Sequence, residues 1–70
     1  MKFNIGDIVE CTDARDKLIN GNFYKILSLE PMYCKVQEIN LITGELGDII
    51  IPSYYKSRFK KVNTEMFPIY

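Results

Sequence analysis

The residues best suited to contact another molecule lie near the end of the sequence, in the segment 54–61. Tyr54 and Tyr55 open this segment, and four basic residues follow without an acidic residue among them: Lys56, Arg58, Lys60 and Lys61. Aromatic rings stack on bases and cations meet phosphates, so the combination suits single-stranded nucleic acid. It also suits an acidic protein surface. A third interpretation places Tyr55 and Phe59 in the core and the basic groups on a solvated rim.

Catalytic chemistry has little support elsewhere in the chain. There is no histidine and no Cys-x-x-Cys pair, which removes the common zinc sites and histidine-based catalysis. The nearest approach to a cation site is a set of three acids whose spacing does not match a calcium loop: Glu10, Asp13 and Asp16. Arg15 and Lys17 neutralise them. We therefore predict no catalytic, cofactor-binding or metal-binding residue and no enzyme activity.

Another acidic residue, Asp7, follows Gly6 in a pair that is typical of a turn. In such a turn the aspartate bonds local amides, because its short side chain reaches its own backbone. Presentation of the carboxylate to a partner is the alternative.

The composition predicts one small cytoplasmic domain. The 70 residues carry nine basic and nine acidic side chains, and 47% of the residues are hydrophobic. A balanced charge argues against non-specific binding of nucleic acid. No apolar run approaches the ~20 residues that cross a bilayer, and the start lacks the apolar segment of a secretion signal. We interpret Cys11 and Cys34 as two small buried thiols, with a disulfide between them as the alternative that the sequence leaves open.

Short extended segments account for most of the chain. The central one is 22–29, which is rich in aromatic and branched residues and follows the turn signal Asn20-Gly21. Both of its faces carry large apolar groups, which is typical of a strand in a barrel or of a strand with a bulge. The other predicted strands are 8–12, 33–39, one that includes 49–51 and ends at Pro52, and 59–62.

The connections between these strands have their own signals. Residues 13–17 predict a charged surface loop, after which Leu18 and Ile19 turn toward the core. The glycine-rich stretch 43–48 predicts a hairpin turn, and 53–57 predicts a single 3₁₀ turn. No stretch holds helical spacing for three turns.

Five short strands predict an all-β fold, a small five-stranded SH3-like barrel with a 3₁₀ turn before the last strand, because closure removes exposed sheet edges. Period-2 alternation predicts the core as Phe3, Val9, Cys11, Tyr24, Ile26, Val36, Ile39, Ile50, Phe59 and Val62. We assign residues 1–62 to this domain and residues 63–70 to an apolar tail. The tail either folds over one end of the barrel or docks on another subunit or a partner.

Three short patterns give the chain a family resemblance: Phe3-x-x-Gly6-Asp7-x-Val9, then Gly21-x-x-Tyr24-x-Ile26, then Tyr55-x-Ser57-Arg58-Phe59. Together they resemble the small SH3-like barrel proteins of tailed bacteriophages, and the first two are similar to KOW-type modules. The resemblance implies a barrel fold, and in such phage proteins an accessory role.

The predicted function is a non-enzymatic interaction module, a phage-encoded accessory protein that binds and modulates a host or phage protein. A small nucleic-acid-binding domain that uses residues 54–61 is the alternative. The oligomeric state stays open. The residues predicted to contact the partner are Tyr54, Lys56, Arg58, Lys60, Lys61, Phe67 and Tyr70.

Overall fold

The structure, a computed structural model, describes residues 2–62 apart from the side chain of Pro52. This part of the chain is all-β and contains one 3₁₀ turn, η1, placed before the last strand as predicted. The elements in chain order are β1 (Ile8–Cys11), β2 (Phe23–Leu29), β3 (Tyr33–Ile39), β4 (Leu46–Tyr55), η1 (Lys56–Arg58) and β5 (Phe59–Lys61).

All neighbouring strands are antiparallel, and β2 lies in the middle of the sheet order β4-β3-β2-β1-β5. A strand with two paired neighbours is rich in branched and aromatic residues because both its edges and at least one face are buried. β2 has that composition. The prediction that segment 22–29 is the central strand is confirmed.

About every second side chain of the strands points into the core. Eight of the predicted core residues are buried in a single cluster: Phe3, Val9, Cys11, Tyr24, Ile26, Val36, Ile50 and Phe59. Ile39 and Val62 were predicted there as well and are only partly buried. Ile39 is the last residue of β3 and Val62 follows β5, and strand ends have fewer neighbours to cover a side chain.

The structure also places two isoleucines differently from the sequence prediction. Ile8 was left out of the predicted core, yet it is only 3% exposed and lies outside the main cluster, opposite Lys25 on β2. The outer face of β1 is therefore covered where the strand begins. In the following loop Leu18 is buried as predicted, but Ile19 is 54% exposed.

A bulge explains why β2 carries apolar residues on both faces. Ile26 pairs with Val36 and Ser28 pairs with Lys35, so Leu27 is one residue more than the partner strand has. An extra residue reverses the alternation beyond it. Leu29 consequently packs against the core together with Ile26. Of the two explanations that the sequence left open, a barrel strand or a bulge, the bulge is observed.

β4 runs through Pro52, where the sequence predicted its end. Val36 pairs with Ile50 and Cys34 pairs with Tyr54, so three residues of β4, 51–53, oppose Lys35 alone. Proline is tolerated in such an irregular stretch of an edge strand, because no hydrogen bond between the strands depends on its missing amide proton. The 3₁₀ turn accordingly occupies Lys56–Arg58 and does not begin at residue 53.

The predicted hairpin joins β3 to β4, but its turn lies at 40–45 and not at 43–48. The side-chain oxygen of Asn40 accepts hydrogen bonds from the amides of Ile42 (2.8 Å) and Thr43 (3.2 Å), which closes the turn earlier. Gly44 supplies the positive φ of 77° that the turn requires. Residues 46–48 therefore belong to the strand.

β4 and β5 are the two edge strands of the sheet, and they approach each other at the junction through which β4 leads into β5. Only the three residues of η1 separate Tyr55 from Phe59, and Tyr54 and Phe59 lie in the same buried cluster. The amide of Thr12 donates to the carbonyl of Arg58 (2.8 Å), so the loop after β1 joins this end of the sheet. The loop, the end of β4 and η1 together position the candidate site.

Candidate functional site

The two tyrosines of the segment 54–61 have different surroundings from those expected. Tyr54 was predicted to meet a partner, but it is only 5% exposed and belongs to the core. Tyr55, placed in the core by one interpretation, is 42% exposed. The extension of β4 past Pro52 is the reason, because it keeps alternation through these residues and directs Tyr54 inward and Tyr55 outward. Phe67 and Tyr70 lie outside the described residues.

Three of the four basic side chains of the segment face acids among the described residues. Arg58 Nη1 lies 3.0 Å from the Asp13 carboxylate, and Lys61 Nζ lies 3.3 Å from the Asp7 carboxylate. Lys60 on β5 pairs directly with Glu10 on β1. Opposite charges at such positions neutralise each other in part, although exposed pairs stabilise the fold by only about 0–1 kcal/mol. The field that nucleic acid would meet is therefore weaker than the sequence of this segment indicates.

Asp7 itself has the structural role that its turn predicted. Its carboxylate accepts a hydrogen bond from the amide of Asn4 (2.8 Å), and its own amide donates to the carbonyl of Asn4 (3.1 Å). Gly6 has φ 93°, which glycine adopts without steric strain. The carboxylate is committed to this turn and to the ammonium of Lys61.

The outer side of the β3–β4 hairpin carries exposed apolar groups that the sequence analysis did not bring together. Tyr33 and Tyr55 are cross-strand partners whose rings stack with centroids 4.7 Å apart and planes at 26°. Ile49 and Ile51 are 52% and 61% exposed on the same strand as Tyr55. We call these four residues, Tyr33, Tyr55, Ile49 and Ile51, the hairpin face. The alternation 49, 51, 55 was the available signal, hidden by the assumed end of the strand at Pro52.

The two stacked tyrosines also interact through their polar ends. A hydrogen bond with the Tyr55 hydroxyl raises the pKa of Tyr33, and proximity to the Tyr55 charge acts in the same direction. The Tyr33 hydroxyl therefore stays protonated near neutral pH and can donate. The pair presents two rings and two polar groups at one end of the hairpin face, a combination common at protein interfaces.

A pocket of 400 Å³ adjoins the stacked tyrosines, and we call it the end pocket. It lies between the loop after β1 and the junction of β4 with η1. The residues that line it are Arg15, Asp16, Tyr33, Ser53, Tyr54, Tyr55 and Arg58. The predicted segment therefore does border a concave site, but through Tyr54, Tyr55 and Arg58 and not through Lys60 or Lys61.

The loop side of the end pocket is held in a defined conformation. The side-chain oxygen of Asn20 accepts from the amide of Ala14 (2.7 Å), and the amide of Leu18 donates to the carbonyl of Arg15 (2.9 Å). Asp16 between them has φ 54°, in the left-handed region that aspartate tolerates better than most residues. Arg58 ties the loop to η1 by donating to the carbonyl of Asp13 (3.2 Å).

Tyr54, which lines the end pocket, carries a polar group without a partner among the described residues. The Tyr54 hydroxyl is buried and makes no hydrogen bond with any described residue. The great majority of buried polar groups are paired, because an unpaired one costs about 1–3 kcal/mol. Tyr24 offers the contrast, since its buried hydroxyl accepts a hydrogen bond from the amide of Ile19 (3.2 Å).

A second, larger groove of 580 Å³ lies at the opposite end of the hairpin, beside the turn at 40–45. Glu38 and Glu45 are its charged lining residues, and Leu41, Ile42 and Leu46 are among the apolar ones. Glu38 also accepts from the amide of Asp48 (3.4 Å) at a register shift between Gln37 and Ile39, where Gly47 and Asp48 both oppose Glu38. Gly47 lies close to this side chain: a Cβ there would lie 2.7 Å from Glu38 Oε1 and 3.1 Å from its Cβ, so a larger residue would require Glu38 to shift. This groove is remote from the predicted contact residues.

Neither cysteine is placed for chemistry. Cys11 and Cys34 are both buried and unbonded to each other, as the thiol interpretation predicted. Burial raises the pKa of the Cys34 thiol to about 11 and also raises that of Cys11. Both groups are therefore protonated near neutral pH, and a protonated thiol is a poor nucleophile and metal ligand.

Two features are absent from the part of the chain that the structure describes, a group of metal-ligand residues and a membrane-spanning helix. No three potential ligand residues are grouped there to hold a metal ion. Within residues 2–62, no helix is long and apolar enough to cross a bilayer. Comparison with known proteins finds no matching family model, no matching curated protein and no matching solved structure.

Proposed function

We propose that this protein is a non-enzymatic interaction module that binds another protein through the hairpin face. The observation that carries the proposal is the clustering of Tyr33, Tyr55, Ile49 and Ile51 on two adjacent strands, each between 39% and 61% exposed. Isolated exposed apolar residues are ordinary, but a cluster of this kind is typical of a protein-binding surface.

The position of β4 supports the same proposal. It is an edge strand of the sheet and carries no charged residue between Asp48 and Lys56. Edge strands without charged residues can pair with strands of other chains, and proline is one residue that prevents uncontrolled pairing. Pro52 lacks an amide proton, so it removes one backbone donor from β4 in the middle of the exposed stretch. The strand is thus suited to side-chain contacts with a partner more than to indefinite growth of the sheet.

The sequence patterns support a more specific proposal for the fold type and the role of this protein. We infer an SH3-like barrel of phage origin, an accessory protein that modulates a host or phage protein, from the resemblance carried by Gly6-Asp7-x-Val9 and Gly21-x-x-Tyr24-x-Ile26. A cytoplasmic location fits the two buried, unbonded thiols, because reducing compartments keep cysteines in that form.

Nucleic-acid binding through residues 54–61 has weaker support. Binding strength depends on the number of phosphates that cations neutralise. Arg58 and Lys61 are engaged by Asp13 and Asp7, and Lys60 stands opposite Glu10. A protein partner is therefore the better proposal.

The test compares two isoleucines of similar exposure. Ile51→Ser removes an apolar contact from the hairpin face, whereas Ile19→Ser makes the same change at a 54% exposed position outside it. Each tagged variant is used to isolate binding proteins from a bacterial lysate, with the melting temperature measured in parallel. We expect a stoichiometric partner that Ile51→Ser loses and Ile19→Ser keeps. Equal capture by both folded variants would contradict the proposal, as would the absence of any stoichiometric partner.

A further inference from the structure

We propose that the end pocket binds a single carboxylate of the protein partner, so that one acidic side chain anchors the partner beside the hairpin face. The inference rests on the proposed function, because Tyr33 and Tyr55 belong both to the hairpin face and to the pocket wall. A partner that covers the two rings necessarily passes the mouth of the pocket.

The pocket is rich in unused hydrogen-bond donors. Arg15 has no ion-pair partner among residues 2–62, and Arg58 contacts Asp13 through Nη1 only. The remaining N–H groups of a guanidinium form a planar fork that matches the two oxygens of a carboxylate. Arg58 is also well placed to hold its geometry, because only 14% of its side chain is exposed.

The Tyr54 hydroxyl is a second and independent indication. It belongs to a residue that lines the pocket and is 95% buried, and it has no hydrogen-bond partner among the described residues. An acceptor that reached this hydroxyl from the pocket would satisfy it, which requires the side chains that cover it to move. Since an unpaired buried hydroxyl is costly, pairing it on binding favours the complex.

The charge of the pocket matches one carboxylate better than a nucleic-acid backbone. Arg15 and Arg58 contribute two positive charges, and Asp16 in the lining and Asp13 beside it oppose them. A site whose formal charges cancel cannot attract a chain of phosphates over long range, but its directed donors can still bind one anion at contact.

The experiment uses two blocked peptides that differ only in charge, acetyl-Thr-Glu-Val-amide and acetyl-Thr-Gln-Val-amide. Each is titrated into the isotope-labelled full chain, and binding is followed by nuclear magnetic resonance. We expect the glutamate peptide to bind at least tenfold more tightly and to shift the signals of Arg15, Tyr54 and Arg58. Equal binding of the two peptides, or no binding of either, would overturn the proposal.

Two matched substitutions locate the binding. Arg15→Gln should weaken binding of the glutamate peptide about tenfold, whereas Lys17→Gln, an exposed position of the same loop outside the lining, should leave it unchanged. Tyr54→Phe should weaken it severalfold while the protein stays folded. Equal effects of Arg15→Gln and Lys17→Gln would show a diffuse charge effect and would refute a built site.

Two further probes separate carboxylate from phosphate. Inorganic phosphate and a single-stranded oligothymidylate are titrated under the same conditions, and tighter binding of either than of the glutamate peptide would assign the pocket to phosphate and overturn the proposal. Failure of the peptide with continued partner loss in Ile51→Ser would remove this inference alone. Tight peptide binding without any captured partner would instead remove the proposed function.

Discussion

Removing one oxygen atom from each of two buried tyrosines should change stability in opposite directions. Tyr54 and Tyr24 are 5% and 0% exposed, and both belong to the same core cluster. The Tyr54 hydroxyl has no partner among the described residues, whereas the Tyr24 hydroxyl accepts from the amide of Ile19 at 3.2 Å. Substitution by phenylalanine keeps the ring and its packing in each case and deletes only the polar group.

The expected magnitudes follow from these environments. An unpaired buried hydroxyl costs about 1–3 kcal/mol, so Tyr54→Phe should raise the free energy of unfolding by about 1 kcal/mol. A paired hydroxyl contributes about 0.5–1.5 kcal/mol, and its removal also leaves the Ile19 amide without a partner, so Tyr24→Phe should lower it by about 1 kcal/mol. For a domain of this size each change corresponds to a shift of roughly 4–8 °C in melting temperature.

The assay is urea unfolding of both variants and the unsubstituted protein, followed by circular dichroism, with thermal melts as a check. Opposite signs of the two changes would support the reasoning. A loss of 1 kcal/mol or more in Tyr54→Phe would refute it, because the hydroxyl would then have a stabilising partner. That result would also remove the buried donor from the proposed carboxylate site.

Three other predictions concern the core, the thiols and the basic segment. Phe59→Ala deletes a ring that is 5% exposed and packs edge-on against Tyr24, with centroids 6.0 Å apart. It should lower the free energy of unfolding by about 3–5 kcal/mol, enough to leave most molecules of this small domain unfolded. An unchanged thermal melt would remove Phe59 from the core. Because burial raises the pKa of Cys34 from 9.0 to about 11, the unfolded chain loses this proton first as the pH rises. The stabilisation is therefore complete below pH 9 and is lost toward pH 11, a fall of about 1.4 kcal/mol by about pH 10, and Cys34→Ala should show a smaller fall in urea titrations at each pH. A labelled oligonucleotide should show no retardation in a gel at about 50 mM salt; salt-sensitive retardation that disappears in the double variant Lys60→Glu, Lys61→Glu would instead support nucleic-acid binding.

Local patterns were sufficient wherever a residue's own chemistry decides its conformation. The turn at Asn20-Gly21 follows from tolerance of positive φ, and Gly21 has φ 85°. The bounds of β3 were predicted correctly because turn signals flank an uninterrupted run. The bulge in β2 was likewise visible as apolar residues on both faces.

The candidate site was predictable only in part. Residue type alone singled out the segment 54–61, and Arg58 and Tyr55 do line the end pocket. The same reasoning placed Tyr54 on the surface, because it took Pro52 as the end of β4. A proline ends a strand only where its missing amide proton is needed, and that depends on the pairing with β3.

The sequence alone determined the class of this protein, because alternation, turn residues and the lack of helical spacing are local properties of the chain. It also determined which side chains are basic and which are aromatic. The tertiary structure decided which of those groups are available. Arg58 reaches Asp13 across 45 positions of sequence, and Tyr33 stacks on Tyr55 through the register of two strands. Such pairings depend on long-range packing, which periodicity and composition do not encode.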